Sequence, residues 1–555
     1  MASRLLQLLV APALALAAAP PTVIWNVIID DLGHANVGWH TPNPPENLTP
    51  RLHALASAGV ILERQYNHFT CTPSRSAFAT GRLPVHVQTT LDNPNLLASG
   101  IPVNMTTLPL KLAQAGYFSA LVGKYDMGFA SRAHLPRARG YNRSLVYAEH
   151  MNNYWSKKIE PTGTNCNNAS LLDLWEDDAP APGLAANASQ YIDDLFQQRA
   201  LAHIADFVAA RAAGGPQRLY LDYRPHSMHW PLSVDEASFA AHAWVGDDEP
   251  GCRARFYGDS VWPGGASGPA AFACRRQYQA MLSNLDARIG AVADALVAAG
   301  LWGETLMLLQ SDNGGCVDTT ENAANNWPLR GGKYHAFEGG VRVASMWSGG
   351  YLPPAARGTT SHALVSVADY YATLCGLAGL GARECAADPL AAAAGLPRIG
   401  SQDVWLAVTG GGASGRTELP IAEGVLLSLP AAGGAGPWWK LFTDASVPGA
   451  GWTGPVFPNA TSPNPEEAVL RCAPGGCLFD VLEDPTEAHD VAAAHPDVVA
   501  ALGARLAELR KGFYSNSDTG GTPLCPRDVA DAGQCMCWAA ANTHGGVLGP
   551  YHEWP

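Results

Sequence analysis

The chain has 555 residues, more than one hydrophobic core ordinarily organises, so two domains are expected. Its hydrophobic content of 47% describes a folded globular protein, and a formal net charge of −14 argues against a nucleic-acid partner. Any anionic substrate must therefore be gathered by local basic residues.

Read along the chain, Met1 to Ala19 has the pattern of a secretory signal, with Arg4 ahead of an apolar run and small residues before the cut. Gln7 and Pro12 interrupt that run, which is shorter than the ~20 residues of a membrane span. Val23 to Ile29 reads as a buried strand running into Asp30-Asp31, and Arg51 to Ala56 as a helix. Leu108 to Ala115 is helical, and Phe118 to Val122 is a strand ending at Gly123-Lys124. A helix over Ala188 to Ala212 precedes a strand from Arg218 to Tyr223, which leads into Pro225-His226-Ser227-Met228-His229. A helix from Arg275 to Ala299 is closed by Gly300, and the strand Leu306 to Gln310 runs into Ser311-Asp312-Asn313-Gly314-Gly315.

Four strands thus end in chemically loaded residues. In an open parallel sheet ligands bind at the carboxyl ends of the strands, so the four predict one shared site in an α/β layer architecture. After about residue 400 the chain becomes rich in Gly, Ala and Pro, with extended pieces at Trp438 to Phe442 and Leu478 to Val481 and a final helix over Pro496 to Lys511. The expected division is a signal segment 1–19, a catalytic domain 20–400 and a smaller α+β domain 401–555.

There are twelve cysteines, which with a secretory signal imply an oxidising compartment. Setting Cys71 aside leaves an odd number, hence several disulfides and at least one unpaired thiol. Close spacing suggests Cys375 with Cys385 and Cys472 with Cys477 as small loops, while spacing alone leaves the connectivity open. Cys535-x-Cys537 lacks the second ligand pair that a zinc site needs. Sequons at Asn47, Asn104, Asn142, Asn168, Asn187 and Asn459 are compatible with glycosylation.

Asp30, Asp31, Asp312 and Asn313 offer four oxygen-bearing side chains, a donor set for Ca2+ or Mg2+ and not zinc. Adjacent residues within a strand face opposite ways, so Asp30 and Asp31 can reach one ion only if the backbone turns there.

The string Cys71-Thr72-Pro73-Ser74-Arg75, completed by Thr80-Gly81-Arg82, resembles the signature of type I sulfatases. In that family the cysteine is oxidised to formylglycine by a formylglycine-generating enzyme. The chemistry suits the residue: a hydrated aldehyde carries two hydroxyls, one to attack sulfur and one whose proton loss re-forms the aldehyde and ejects sulfate. Asn325 to Gly331, Glu338 to Arg342, Leu478-Phe479-Asp480 and Asp484 to Glu487 look like the arylsulfatase B group, the N-acetylgalactosamine-4-sulfatases.

The resemblance implies an alkaline-phosphatase-like fold with a large mixed, mostly parallel sheet and a smaller C-terminal α+β domain. It also implies one Ca2+ with residue 71 as a further ligand, and aryl sulfates or sulfated sugars as substrates. Arg75, Lys124 and Lys333 become the cations facing sulfate, and His229 the group that contacts sulfate and protonates the leaving oxygen, with His226 as its neighbouring rival. Secretion to an extracellular or lysosome-like compartment follows, without membrane insertion.

One position departs. The family reads Gly-Lys-Trp-His-x-Gly, and this chain reads Gly123-Lys124-Tyr125-Asp126-Met127-Gly128, which puts a carboxylate where the proton-accepting histidine is expected. That substitution implies an altered release of sulfate and a shifted pH profile. It also keeps open an impaired, glycan-binding sulfatase-like protein. A phosphatase or phosphodiesterase of the same superfamily is the enzymatic alternative.

Overall fold

The computed structural model describes residues 19–40, 49–87, 100–159, 170–245, 274–317, 322–430, 436–459, 463–514 and 532–550. The predicted signal segment up to residue 18, the sequons at Asn47 and Asn168, and Cys166, Cys252 and Cys525 lie outside those residues.

The runs read as buried strands form the centre of a ten-stranded mixed sheet. Its spatial order is Thr359–Ser361, Val60–Leu62, Ser345–Ser348, Thr305–Ser311, Val23–Ile29, Arg218–Arg224, Tyr117–Lys124, Arg143–Tyr147, Trp175–Glu176 and Ala179–Pro180. The five from Thr305–Ser311 to Arg143–Tyr147 are mutually parallel. Every residue of Val23–Ile29 is buried, as a strand covered on both faces by helices requires.

Its side chains alternate between two cores. Val23, Trp25, Val27 and Ile29 face helices Ile192–Ala212 and Cys274–Ala298, while Ile24 and Ile28 face Cys71–Thr80, Leu108–Gln114 and Asp369–Leu377. Burying each aliphatic side chain contributes about 1.5–3 kcal/mol, which fixes the register of the central strands.

That register aligns the chemistry. Ile29 pairs with Ser311, Arg224 with Gly123, and Lys124 with Tyr147, so five strand ends open onto one edge.

A four-stranded antiparallel sheet, Glu418–Ala422, Val425–Ser428, Trp439–Phe442 and Cys477–Asp480, carries helix Pro496–Arg510. A further helix, Ala532–Asn542, follows the one expected to be last. Cys375–Cys385 and Cys472–Cys477 are disulfides, and Cys535 and Cys537 are also disulfide-bonded, so those two are not thiolate ligands. Asn104, Asn142 and Asn187 are exposed, and Asn459 is half-buried.

Candidate active site

The 71–82 string folds as helix Cys71–Thr80, whose first residue meets the strand ends. Pro73 falls in the first turn, where its missing N–H would have had no partner. Thr80 Oγ1 donates to Ser76 O at 2.8 Å, and Gly81 closes the helix at φ 67°. A Cβ on Gly81 would lie 2.7 Å from the Tyr371 ring, so glycine is required on two counts. Arg82 then anchors the turn through Asp388 at 2.7 Å and Pro397 O at 2.6 Å. The distal half of the string therefore positions residue 71 without entering the site.

Cys71 is 5% exposed, and its Sγ lies 3.6 Å from Asp30 Oδ1. Burial, with Asp312 and Asp30 adding to it, pushes the thiol well above its ordinary range against Lys124 and Lys333, the opposite of what a thiolate nucleophile needs.

The other predicted residues converge on it. Asp31 has φ 51°, so the chain turns between the two aspartates and both face the site. Asp30, Asp31, Cys71 and His229 offer ligand atoms within 4.8 Å of one another. Arg75 is fully buried and donates from Nε and Nη2 to Asp312 Oδ2 at 3.0 and 2.8 Å. Lys124 Nζ stands 2.7 Å from Asp30 Oδ2, and Lys333 Nζ 2.8 Å from Asp31 Oδ1. Lys333 Nζ is also 3.1 Å from His229 Nε2. His229 Nδ1 donates to Trp230 O at 2.6 Å, which leaves Nε2 as the acceptor facing Lys333.

Asp126 is fully buried at φ 48°. Its Oδ1 accepts from Thr72 Oγ1 at 3.1 Å and meets His150 Nδ1 at 3.0 Å, while Oδ2 lies 3.7 Å from Lys124 Nζ. Burial raises its pKa, but His150 and Lys124 outweigh burial and hold it down to about 2. His150 was not legible from the sequence as a site residue.

Neither was Asp193, in the first turn of helix Ile192–Ala212. It accepts from His226 N at 2.8 Å, Ser227 N at 3.0 Å and Ser227 Oγ at 2.5 Å, clamping the segment that carries His229. His226 stacks on Tyr154 at 3.9 Å and accepts from Asn152 N, a packing role that leaves the site to His229.

Three carboxylates, Asp30, Asp31 and Asp312, crowd together among Arg75, Lys124 and Lys333. Burial raises Asp31 and pushes Asp312 to about 7, each also raised by Asp30, whereas Asp30 itself is held low by Lys124, His229 and Arg75 against burial. Asn313 Nδ2 donates to Asp31 Oδ1 at 2.8 Å and Gly314 O at 2.7 Å, leaving Oδ1 buried without a partner among the described residues. An orphaned amide oxygen beside crowded carboxyls fits a hard cation.

Comparison with known proteins identifies the family of the chain. The family model described as Sulfatase matches residues 21–380. Arylsulfatase J of Mus musculus is 28% identical over 510 residues, spanning 87% of this chain and 75% of that protein. Arylsulfatase A of Bos taurus is 31% identical over 393 residues, covering 67% of each. Among solved structures, Ps i-CgsB in complex with k-i-k-neocarrahexaose superposes with a TM-score of 0.67 at 20% identity, over 95% of this chain and 99% of that one.

Proposed function

The chain belongs to the sulfatase family, and on that premise we propose that it hydrolyses aryl sulfates or sulfated sugars through a formylglycine hydrate at residue 71. The observation that carries this reading is Cys71 at the head of a buried helix, 3.6 Å from Asp30 and ringed by Arg75, Lys124 and Lys333. A formylglycine-generating enzyme would act on the chain before it folds, since the cysteine is enclosed afterwards.

Asp30, Asp31, Asp312 and Asn313 would hold the ion, with residue 71 completing the set. When bound, a Ca2+ would polarise the sulfate oxygens and lower the cost of gathering three carboxylates. Arg75 holds Asp312 in place by its fork, and Lys124 fixes Asp30. Lys333 and His229 share a hydrogen bond on the side where the alcohol departs, and the proton held between them passes to the leaving oxygen.

Beside His229 a cleft lined by Met151, Asn152, Lys158, Trp230 and Pro231 offers an apolar wall with one cation. The neocarrahexaose bound by the structural relative supports a glycan substrate. The 4-sulfatase preference remains part of this proposal, as do secretion and a lysosome-like or extracellular destination. No described helix is long and apolar enough to cross a membrane.

The test is mass spectrometry of the tryptic peptide Gln65 to Arg75 from secreted protein, alongside turnover of 4-nitrophenyl sulfate and 4-nitrophenyl phosphate. An aldehyde at residue 71 with faster sulfate turnover is expected. A thiol, in a host that matures a control sulfatase, refutes the reading and favours a glycan-binding protein; faster phosphate turnover favours a phosphatase.

A further inference from the structure

We propose that Asp126 and His150 form a carboxylate–imidazole pair that handles the proton released as sulfate leaves residue 71, with His150 as the acceptor and Asp126 as its positioning residue. The inference rests on the formylglycine reading above.

The pair is a product of sheet register. Lys124 closes one parallel strand and Tyr147 the next, paired side by side, and Tyr125 N donates to Tyr147 O at 2.9 Å. The two strand exits are thereby held together, so the turn after Lys124 delivers Asp126 and the turn after Tyr147 delivers His150. The second turn is pinned from below by Asp173, which accepts from Ala148 N at 2.8 Å and Glu149 N at 2.9 Å.

Asp126 Oδ1 is shared. It takes the Thr72 hydroxyl at 3.1 Å, and Thr72 is the residue next to Cys71 in the same helical turn. It also meets His150 Nδ1 at 3.0 Å, so one carboxylate oxygen links the imidazole to the head of the nucleophile helix. With Nδ1 donating to Asp126, Nε2 is the nitrogen that exchanges a proton. The side chain of His150 is 35% exposed while Asp126 is fully buried, so the imidazole has a route to bulk water and the carboxylate has none.

Asp126 itself is a poor base here, since His150 and Lys124 hold it to about 2 despite burial. The groups facing His150 are Asp126, the adjoining Glu149 and Lys124. Burial and Lys124 lower its pKa, Asp126 and Glu149 raise it, and the net direction is upward.

The step balances. After one hydroxyl of the residue-71 hydrate has displaced the alcohol from sulfur, the same carbon bears a sulfate ester and the second hydroxyl. His150 Nε2 takes the proton of that hydroxyl; the O–H electron pair becomes the C=O bond; the carbon–oxygen bond to sulfate breaks, and sulfate leaves with its electron pair. The imidazolium returns its proton to water, and water adds to the aldehyde to restore the hydrate.

The experiment compares wild type with His150→Asn, His150→Gly and Asp126→Asn, measuring the aldehyde at residue 71 in each before kinetics. For His150→Asn, kcat with 4-nitrophenyl sulfate should fall about 10²-fold or more. A first-turnover burst should survive, and the acid-quenched Gln65–Arg75 peptide should carry an added sulfo group. Added imidazole should restore turnover in His150→Gly. Wild type should show an acid limb in kcat with its midpoint above the ordinary histidine value of about 6.5, and Asp126→Asn should move that midpoint down. Normal turnover without an adduct in His150→Asn, given a confirmed aldehyde, overturns the pair alone. A wild type lacking the aldehyde overturns the nucleophile and the pair together.

Discussion

Replacing Lys440 with methionine tests whether the smaller sheet holds the active-site loop through buried charge. Lys440 lies in strand Trp439–Phe442 with no exposure, its Nζ 3.0 Å from Glu338 Oε1 and 2.9 Å from Glu487 Oε1. Tyr66 donates to Glu338 Oε2 at 2.8 Å, and Glu338 N to Glu487 Oε2 at 2.6 Å. Glu338 follows Lys333 in the chain, so the triad anchors the segment that carries Lys333.

In the wild type, Lys440 holds Glu338 below its ordinary value against burial, whereas burial, reinforced by Glu338, pushes Glu487 up to about 7. Glu338 therefore contributes stability above the ordinary carboxyl range that is lost as pH falls. Glu487 contributes below that range and loses its contribution as pH rises through about 7. Without the ammonium both carboxyls resist ionisation, and Lys440→Met should cost about 3–5 kcal/mol at pH 8. At about 2.1 cal/mol/K of unfolding entropy per residue, cooperative unfolding of 555 residues turns that into a Tm loss of about 3–4 °C.

The deficit should shrink toward pH 5, where one carboxyl takes a proton. The combined Lys440→Met, Glu338→Gln, Glu487→Gln variant should recover most of the loss, because no unpaired charge then remains. Thermal unfolding from pH 5 to 8 is the assay. A deficit independent of pH, or none at pH 8, refutes the buried-charge account.

Chelation with EDTA should lower Tm and abolish aryl sulfate turnover, with Ca2+ restoring both and Zn2+ restoring neither; an ion present at a hundred times its Kd contributes about 2.7 kcal/mol. Arg75→Lys loses the two-nitrogen fork on Asp312 and should lower kcat/KM about 10²-fold, read from steady-state rates with 4-nitrophenyl sulfate. Asp193→Asn weakens the clamp on His226 and Ser227, and should lower kcat about 10-fold or more while the aldehyde content of residue 71 is unchanged.

The strands that carry the site were legible because each is a run of apolar residues covered on both faces, bounded by residues of unmistakable chemistry. The two small disulfide loops were legible from spacing. His150 was not, because its strand Arg143–Tyr147 begins with an exposed arginine and is short, so the fifth strand end gave no periodic signal. Lys158–Ile159 pairs with Leu171–Leu172, and Trp175–Glu176 joins the large sheet beside Arg143–Tyr147, but strands of two residues are too short to leave a periodic signal. Asp193 reads as an ordinary acidic residue in a helix's first turn, favourable to the helix dipole, and only tertiary packing turns its carboxylate toward the 226–227 backbone. Helix Cys71–Thr80 lacks an amphipathic stripe because all ten of its residues are buried, so no solvent face sets a polar side apart.

Two aspartates at strand exits share a backbone device, and it separates charge from conformation. Asp31 at φ 51° and Asp126 at φ 48° occupy the left-handed region, which aspartate, asparagine and histidine tolerate and β-branched residues do not. The turn at Asp31 is what lets it face the same space as Asp30, so the position demands both a carboxylate and a permissive backbone. Asp31→Asn should keep the turn and lose the ion, leaving Lys333 with His229 as its partner. Asp31→Val should lose the ion as well and cost about 1–2 kcal/mol more for the strained backbone. Measured with EDTA in excess, so that neither variant is stabilised by metal, urea midpoints should place the valine variant below the asparagine variant by that amount. Equal midpoints would mean that the turn is imposed by its surroundings at no cost and that residue 31 is selected for charge alone.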